Sequence, residues 1–152
     1  DALAALARGI WNAAYRDIIS QAQIDYMLDQ RYKPGLIRQL LARGDLWLAA
    51  RAGGALVGFA HGHTLGDGDY KLDKLYVDLD WQRHGIGGAL IREMVARAAG
   101  SGRARLVLRV NRRNQQAIDA YLKHGFTVVT LHLEDIGNGF IMDDYVMAQE
   151  LK

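Results

Sequence analysis

YKLDKLYVDLDWQRHGIGGALIREMVARAAG, residues 70 to 100, decides the fold. Its first eight residues have the composition of a strand, and a glycine turn, QRHGIGG at 82 to 88, follows a short polar stretch. From there Ile86, Leu90, Ile91, Met94, Val95 and Ala98 fall on one helical face, so a helix is predicted to start near Gly85 and to be closed by Gly100. The next apolar run, RLVLRV at 105 to 110, is a second strand. Two strands joined through a helix run parallel, with a right-handed crossover. This stretch therefore predicts a strand-helix-strand unit.

The flanking sequence has a different grammar. Leu3, Leu6, Ile10, Ala14 and Ile18 recur at helical spacing, and Ile19 and Ser20 end that first helix. A second helix is predicted from Gln21 to Gln30 with Ser20 as N-cap, and a third from Pro34 to Arg43 with proline in its first turn. LWLAARAGGALVGFAHGHTL reads as two strands around a Gly53-Gly54 turn, and GDGD at 66 to 69 turns into YKLDKLYV. After RLVLRV, NQQAIDAYLKHGF is a helix from Asn114 to Gly125, and TVVTLHL and FIMDDYVMAQEL close the chain as an antiparallel pair. The expectation is an α/β fold in a single domain over residues 1 to 152, with an N-terminal antiparallel meander, a central parallel pair and a C-terminal antiparallel hairpin.

Composition narrows the chemistry. The 152 residues are 50% hydrophobic and 24% charged, as in an ordinary globular domain. A net charge of +2 and a pI near 9.0 suit an anionic ligand, but there is no Lys/Arg run of the kind that marks a nucleic-acid arm. With no cysteine, thiolate chemistry and disulfides are excluded. No apolar run approaches the roughly 20 residues of a membrane span, which points to the cytoplasm. The chain opens without methionine, directly in a helical pattern, so a native start upstream of Asp1 is expected.

A strand that turns through glycines into a helix leaves backbone N–H groups pointing outward at the positive end of the helix dipole. Phosphate is the natural guest there. A side chain at Gly85 or Gly87 would hinder close approach of a pyrophosphate, and Arg83 and His84 add donors at the rim. A Walker loop is excluded because Ala89 and Leu90, not Lys-Ser/Thr, follow Gly88. The dinucleotide fingerprint fails at Leu90 and lacks its downstream acid.

The same residues resemble the acyl-CoA loop of GNAT-type N-acetyltransferases, Q/R-x-x-G-x-G/A after a strand ending in an apolar triplet. Gln82, Gly85 and Gly87 fill that pattern, with Leu75, Tyr76 and Val77 as the triplet. Downstream, Asn114, Ala117, Tyr121, Lys123, Gly125 and Phe126 match N-x-x-A-x-x-x-Y-x-K-x-G-F. IDYMLDQRYKPGLI and DIGNGFIMDDYVM narrow the resemblance to bacterial spermidine/spermine N-acetyltransferases. One departure is the first strand of the family, which is missing before the first helix.

The resemblance implies an acetyl-CoA-dependent enzyme that acetylates a primary amine such as a polyamine. Leu75, Tyr76, Val77, Gln82, Arg83, His84, Gly85, Ile86, Gly87, Gly88, Asn114 and Ala117 would hold CoA, the N–H groups of Leu75 and Val77 acting where the parallel strands splay. Such a transfer needs a neutral amine, a stabilised oxyanion and a proton for the departing thiolate. Tyr121 is the candidate general acid. Asp73 is the candidate base, because strand alternation puts it on the face of Leu75 and Val77 unless a bulge intervenes; His61 and His63 are alternatives. No metal is expected. Asp25, Asp29, Glu134, Asp135, Asp143 and Asp144 are candidates to line an acidic acceptor cleft, with Trp11, Tyr26 and Tyr32 either walling it or lying in the core. Alternatives are a peptide, lysine or aminoglycoside acceptor, or a non-catalytic acyl-CoA-binding module. Expected partners are a small amine and a second copy of the chain through the closing strand, without nucleic acid or membrane.

Overall fold

A computed structural model describes residues 2–32 and 34–151. The chain opens with helices α1 (Ala2–Tyr15), α2 (Gln21–Arg31) and α3 (Pro34–Ala42), then strands β1 (Leu46–Ala52), β2 (Ala55–Thr64) and β3 (Tyr70–Val77). Helix α4 (Ile86–Gly100), strand β4 (Arg105–Asn111), helix α5 (Gln115–Lys123) and the pair β5 (Thr127–Gly137) and β6 (Phe140–Glu150) complete it. The strands form one mixed sheet in the order β1-β2-β3-β4-β6-β5. The expected α/β class, meander, parallel pair and closing hairpin are all present.

Local chemistry explains most boundaries. Ser20 Oγ accepts from Gln23 N at 3.1 Å and caps α2. Gly53 and Gly54, with φ of 56° and 86°, make the β1–β2 turn, and Asn138-Gly139, at 56° and 79°, makes the β5–β6 turn. Three boundaries differ from expectation. Helix α1 stops at Tyr15, whose carbonyl receives the amides of both Ile18 and Ile19 at 2.9 and 3.0 Å. Gly100 is helical, and the left-handed residue beyond α4 is Gly102 at φ 81°. Strand β5 runs on to Gly137.

Helices cover both faces of the sheet. On one face Leu90, Ile91 and Met94 of α4 and Ile118 of α5 pack on Leu72, Leu106, Leu108 and Val110. On the other, Ala7 and Trp11 of α1, Ile24 and Leu28 of α2 and Ile37 of α3 pack around Phe59. Strand β2, covered on both sides, is therefore buried without a break from Val57 to Gly62.

A bulge sits at the centre of this sheet. His61 faces Lys74 and Gly62 faces Leu72, so Asp73 has no partner in β2. The extra residue reverses the alternation beyond it. Leu72 and Leu75 both pack toward α4, while Asp73 meets Arg31 of α2. The expectation that Asp73 shares a face with Leu75 and Val77 is thereby corrected. Glycine is required opposite the bulge: a Cβ at Gly62 would stand 2.7 Å from Met94 Sδ, 2.9 Å from Tyr70 Cε1 and 3.1 Å from Lys71 O. Gly62→Ala is expected to lower the free energy of unfolding by about 1–3 kcal/mol, measured by urea denaturation.

Candidate active site

β3 and β4 pair only at Tyr70 with Leu106 and Lys71 with Val107. Beyond these two rungs they diverge. Asp78 N donates to Val57 O on β2 at 2.8 Å. By alternation, the N–H groups of Leu75 and Val77 point to the edge that β4 has left. A groove of about 730 Å³ opens there and continues to the start of α4.

The α4 terminus has the geometry of an anion site. Gly85 is its N-cap at φ 81° with no side-chain cap, and the first helical bond is Ala89 N to Gly85 O at 3.0 Å. The N–H groups of Ile86, Gly87 and Gly88 precede any intrahelical acceptor and carry the positive end of the dipole. Arg83, Arg92, Lys123 and His124 line the same groove, adding cationic or donor groups. Leu75, Tyr76, Val77, Gln82, Gly85, Gly87, Gly88, Asn114 and Ala117 line it too, as expected. His84 and the Ile86 side chain do not. The His84 ring turns back to Gln82 O at 2.9 Å and against Trp81, and Ile86 packs against the core. Arg92, Lys123 and His124 have no periodicity signal beyond their place near the glycine turn and on α5.

Tyr121 lines the groove from α5, its ring edge-on to Phe126 at 5.6 Å. Burial, with a smaller contribution from nearby Tyr15, pushes its hydroxyl above the ordinary tyrosine value, so it stays protonated at neutral pH. Asn114 Oδ1 accepts from Ala117 N and its Nδ2 donates to Tyr15 Oη, both at 3.3 Å. It thus caps α5 and ties it to α1. Tyr15 itself was not singled out from sequence. Its only local signal is its place four residues after Trp11, on whose ring it packs at 4.8 Å.

A second cavity, of about 300 Å³, lies on the α1–α2 face. Trp11, Tyr15, Tyr26 and Tyr76 contribute its aromatic walls, and Glu134 and Asp144 reach it from β5 and β6. Tyr32 lies in the core, 4% exposed. Asp25 and Asp29 are exposed on α2, Asp135 accepts from Gly137 N, and Asp143 pairs with Arg112 at 2.8 Å; none of these four lines the cavity.

Asp73 stands between the two spaces and lines both. Lys74 Nζ lies 2.6 Å from its carboxylate, His61 Nδ1 and Lys71 Nζ 3.2 Å, and Arg31 Nη2 3.4 Å. Burial would raise its pKa, but the His61 hydrogen bond and the charges of Arg31, Lys74 and Lys71 outweigh burial and hold it well below the usual carboxylate range. A carboxylate so strongly held in its ionised form is a poor proton acceptor. His61 is no substitute: it is 1% exposed, stacks on Trp47 at 4.3 Å and faces Asp45 Oδ2 at 2.7 Å. His63 bonds Thr64 O, and neither histidine lines either space.

A mixed sheet with a diverging parallel pair carries a glycine-capped helix at the mouth of its groove. The acetyltransferase (GNAT) family matches residues 7–126, and the chain belongs to that family. It is 36% identical over 104 residues to an uncharacterized N-acetyltransferase of Mycobacterium tuberculosis, covering 68% of this chain and 66% of that protein. It is 30% identical over 106 residues to the peptidyl-lysine N-acetyltransferase YjaB of Escherichia coli, covering 69% and 65%. These matches thus span slightly less than two thirds of each relative's length. Among solved structures, the PaiA N-acetyltransferase of Thermoplasma acidophilum in complex with coenzyme A has a TM-score of 0.84 and 25% identity, over 98% of this chain and 91% of that one.

Asp73→Asn removes a carboxylate from among one buried and two half-buried cations, so it is expected to lower stability at neutral pH by about 2–4 kcal/mol. The sign with pH follows from the lowered pKa: the contribution is present above the unfolded value of about 3.9 and is lost only as pH falls through the lower folded value. Denaturant titrations from about pH 8 to about pH 5 should show an undiminished gap between the two proteins.

Proposed function

We propose that this protein transfers the acetyl group of acetyl-CoA directly to a primary amine. The observation that carries this reading is the meeting of two unlike spaces at Tyr15, Asp73, Tyr76 and Arg109, which line both. One space ends in unpaired N–H groups at a helix start and suits a pyrophosphate. The other is walled by aromatic rings and suits an aliphatic arm ending in an ammonium group.

In this reading Gln82, Arg83 and the main chain of residues 85–88 hold the phosphates, and Leu75, Tyr76, Val77, Asn114 and Ala117 hold the pantetheine arm. When bound, acetyl-CoA supplies an acetyl group activated as a thioester. The N–H groups of Leu75 and Val77 hold the acetyl oxygen and stabilise the charge that develops on it. Tyr121 keeps its proton at neutral pH and gives it to the departing sulfur. Asp73 sits at the bulge and offsets part of the charge of the cations around it, in place of the base role expected from strand alternation.

For the acceptor, the aromatic walls and the acids Glu134 and Asp144 support a polyamine. The second reading is a lysine side chain, which has the same aliphatic arm and ammonium and is favoured by the similarity to a peptidyl-lysine acetyltransferase. A panel of spermidine, spermine, lysine peptides, peptide N-termini and an aminoglycoside, assayed with acetyl-CoA by release of free CoA, separates these. No release with any amine would count against the transferase reading and for a non-catalytic acyl-CoA-binding module. Exposed Leu131, Leu133 and Ile141 along the closing hairpin support self-association as a dimer. No helix among the described residues is long and apolar enough to cross a membrane.

Tyr121→Phe is expected to lower turnover by on the order of 100-fold, with CoA affinity by calorimetry nearly unchanged. Light scattering is expected to give twice the chain mass for the wild type and the single-chain mass for Leu133→Asp.

A further inference from the structure

Of the three acids lining the acceptor cavity, two have ion-pair partners. Asp73 is held by Arg31 and Lys71, and Glu134 by Arg109 at 3.2 Å. Asp144 is 1% exposed, and both carboxylate oxygens are buried without a hydrogen-bond partner among the described residues. It lies on β6 in register with Asn111 of β4 and His132 of β5, and it lines the cavity. Removing a carboxylate from water without replacing its hydrogen bonds is strongly unfavourable. Such a group either holds a proton or is met there by a donor from outside the chain.

The groups facing Asp144 do not fill that need. Arg31 of α2, Arg109 of β4 and His132 of β5 favour its charge from a distance, while Asp143 on its own strand opposes it. Tyr15 of α1 is close enough to feel its charge. Arg31 and Arg109 are already engaged with Asp73 and Glu134. A primary ammonium brings three N–H donors and one positive charge, and matches two unpartnered oxygens in a cavity with ring faces along its walls.

We infer that Asp144 is the acceptor-binding carboxylate, which takes up the ammonium group of the amine substrate and receives one of its protons. This rests on the transferase reading given above. The amine nitrogen forms its bond to the acetyl carbon as the carbon–sulfur bond breaks. Of the two protons the nitrogen gives up, one leaves through Asp144 to solvent, and the other balances the proton that Tyr121 gives to sulfur. Burial, with the opposing charge of Asp143, raises the Asp144 pKa to about 6, closer to neutrality than an ordinary carboxylate and better suited to accepting a proton.

The same burial supplies a control on folding. A carboxyl whose folded pKa is raised contributes stability that is full below the unfolded pKa and is lost as pH rises through the folded value, here about 6. Asp144→Asn should therefore be at least as heat-stable as the wild type at about pH 8.

Spermidine and Nα-acetyl-lysine amide are the probe amines, titrated by calorimetry into the CoA-saturated protein and assayed with acetyl-CoA. For the amine that the wild type accepts, Asp144→Asn is expected to weaken binding and raise KM by about tenfold or more, with CoA affinity unchanged. Wild-type amine affinity should fall as pH drops through about 6, and that dependence should be absent in the variant. Equal amine affinity and the same acid limb in both proteins would overturn the assignment while leaving the transferase reading intact. Wild-type CoA binding without acetyl transfer to any amine would fail the transferase reading instead, and the calorimetric comparison would still decide whether Asp144 holds the ammonium. If neither probe binds the wild type, the assignment is overturned.

Discussion

Two parallel strands can share hydrogen bonds only while their backbones stay about 4.8 Å apart. β3 and β4 do so for two rungs and then diverge, although each remains paired on its other side, β3 to β2 and β4 to β6. Unpaired main-chain groups in the middle of a sheet are costly unless a ligand or water meets them. That opening is what gives the molecule a site. It exposes the free edge of β3, lets α4 and α5 flank one groove, and lets α1 and α2 face another cavity across the same gap.

The bulge at Asp73 places the polar groups around this opening. One residue without a partner in β2 puts Asp73 on the α2 side among three cations and His61, and brings Lys74 under the rings of Tyr32 and Trp47 at 5.7 and 6.0 Å. Gly62 makes room for it, since a Cβ there would press on Met94, Tyr70 and the Lys71 carbonyl. Three cations share the one carboxylate of Asp73, and Asp144 is left as the acid of the second cavity without a hydrogen-bond partner among the described residues.

Much of this was legible in the order of residues. The glycine turn, the helix after it and the strand patterns are local, so the α/β class, the meander and the Ser20 cap could be read directly, and the family resemblance pointed to most of the residues that line the groove at the start of α4. Boundaries set by weak local preferences were less legible. Helix α1 ends early because the Tyr15 carbonyl closes it, and α4 runs through Gly100 because the left-handed residue is Gly102. The two positions missing from the groove, His84 and Ile86, are neighbours in the motif whose side chains turn to the loop and to the core.

What the sequence determined by itself was the glycine-capped helix start, because a helix start with free N–H groups is built from contiguous residues. What only the tertiary structure decided was the second cavity and the surroundings of the acids. Asp25, Asp29, Asp73, Glu134, Asp135, Asp143 and Asp144 are alike as letters. Their burial, partners and pKa values depend on a bulge, a strand register and the packing of helices distant in sequence. Asp73 became a fixed charge because four nitrogen groups surround it, and Asp144 became the exceptional acid because no donor among the described residues reaches it.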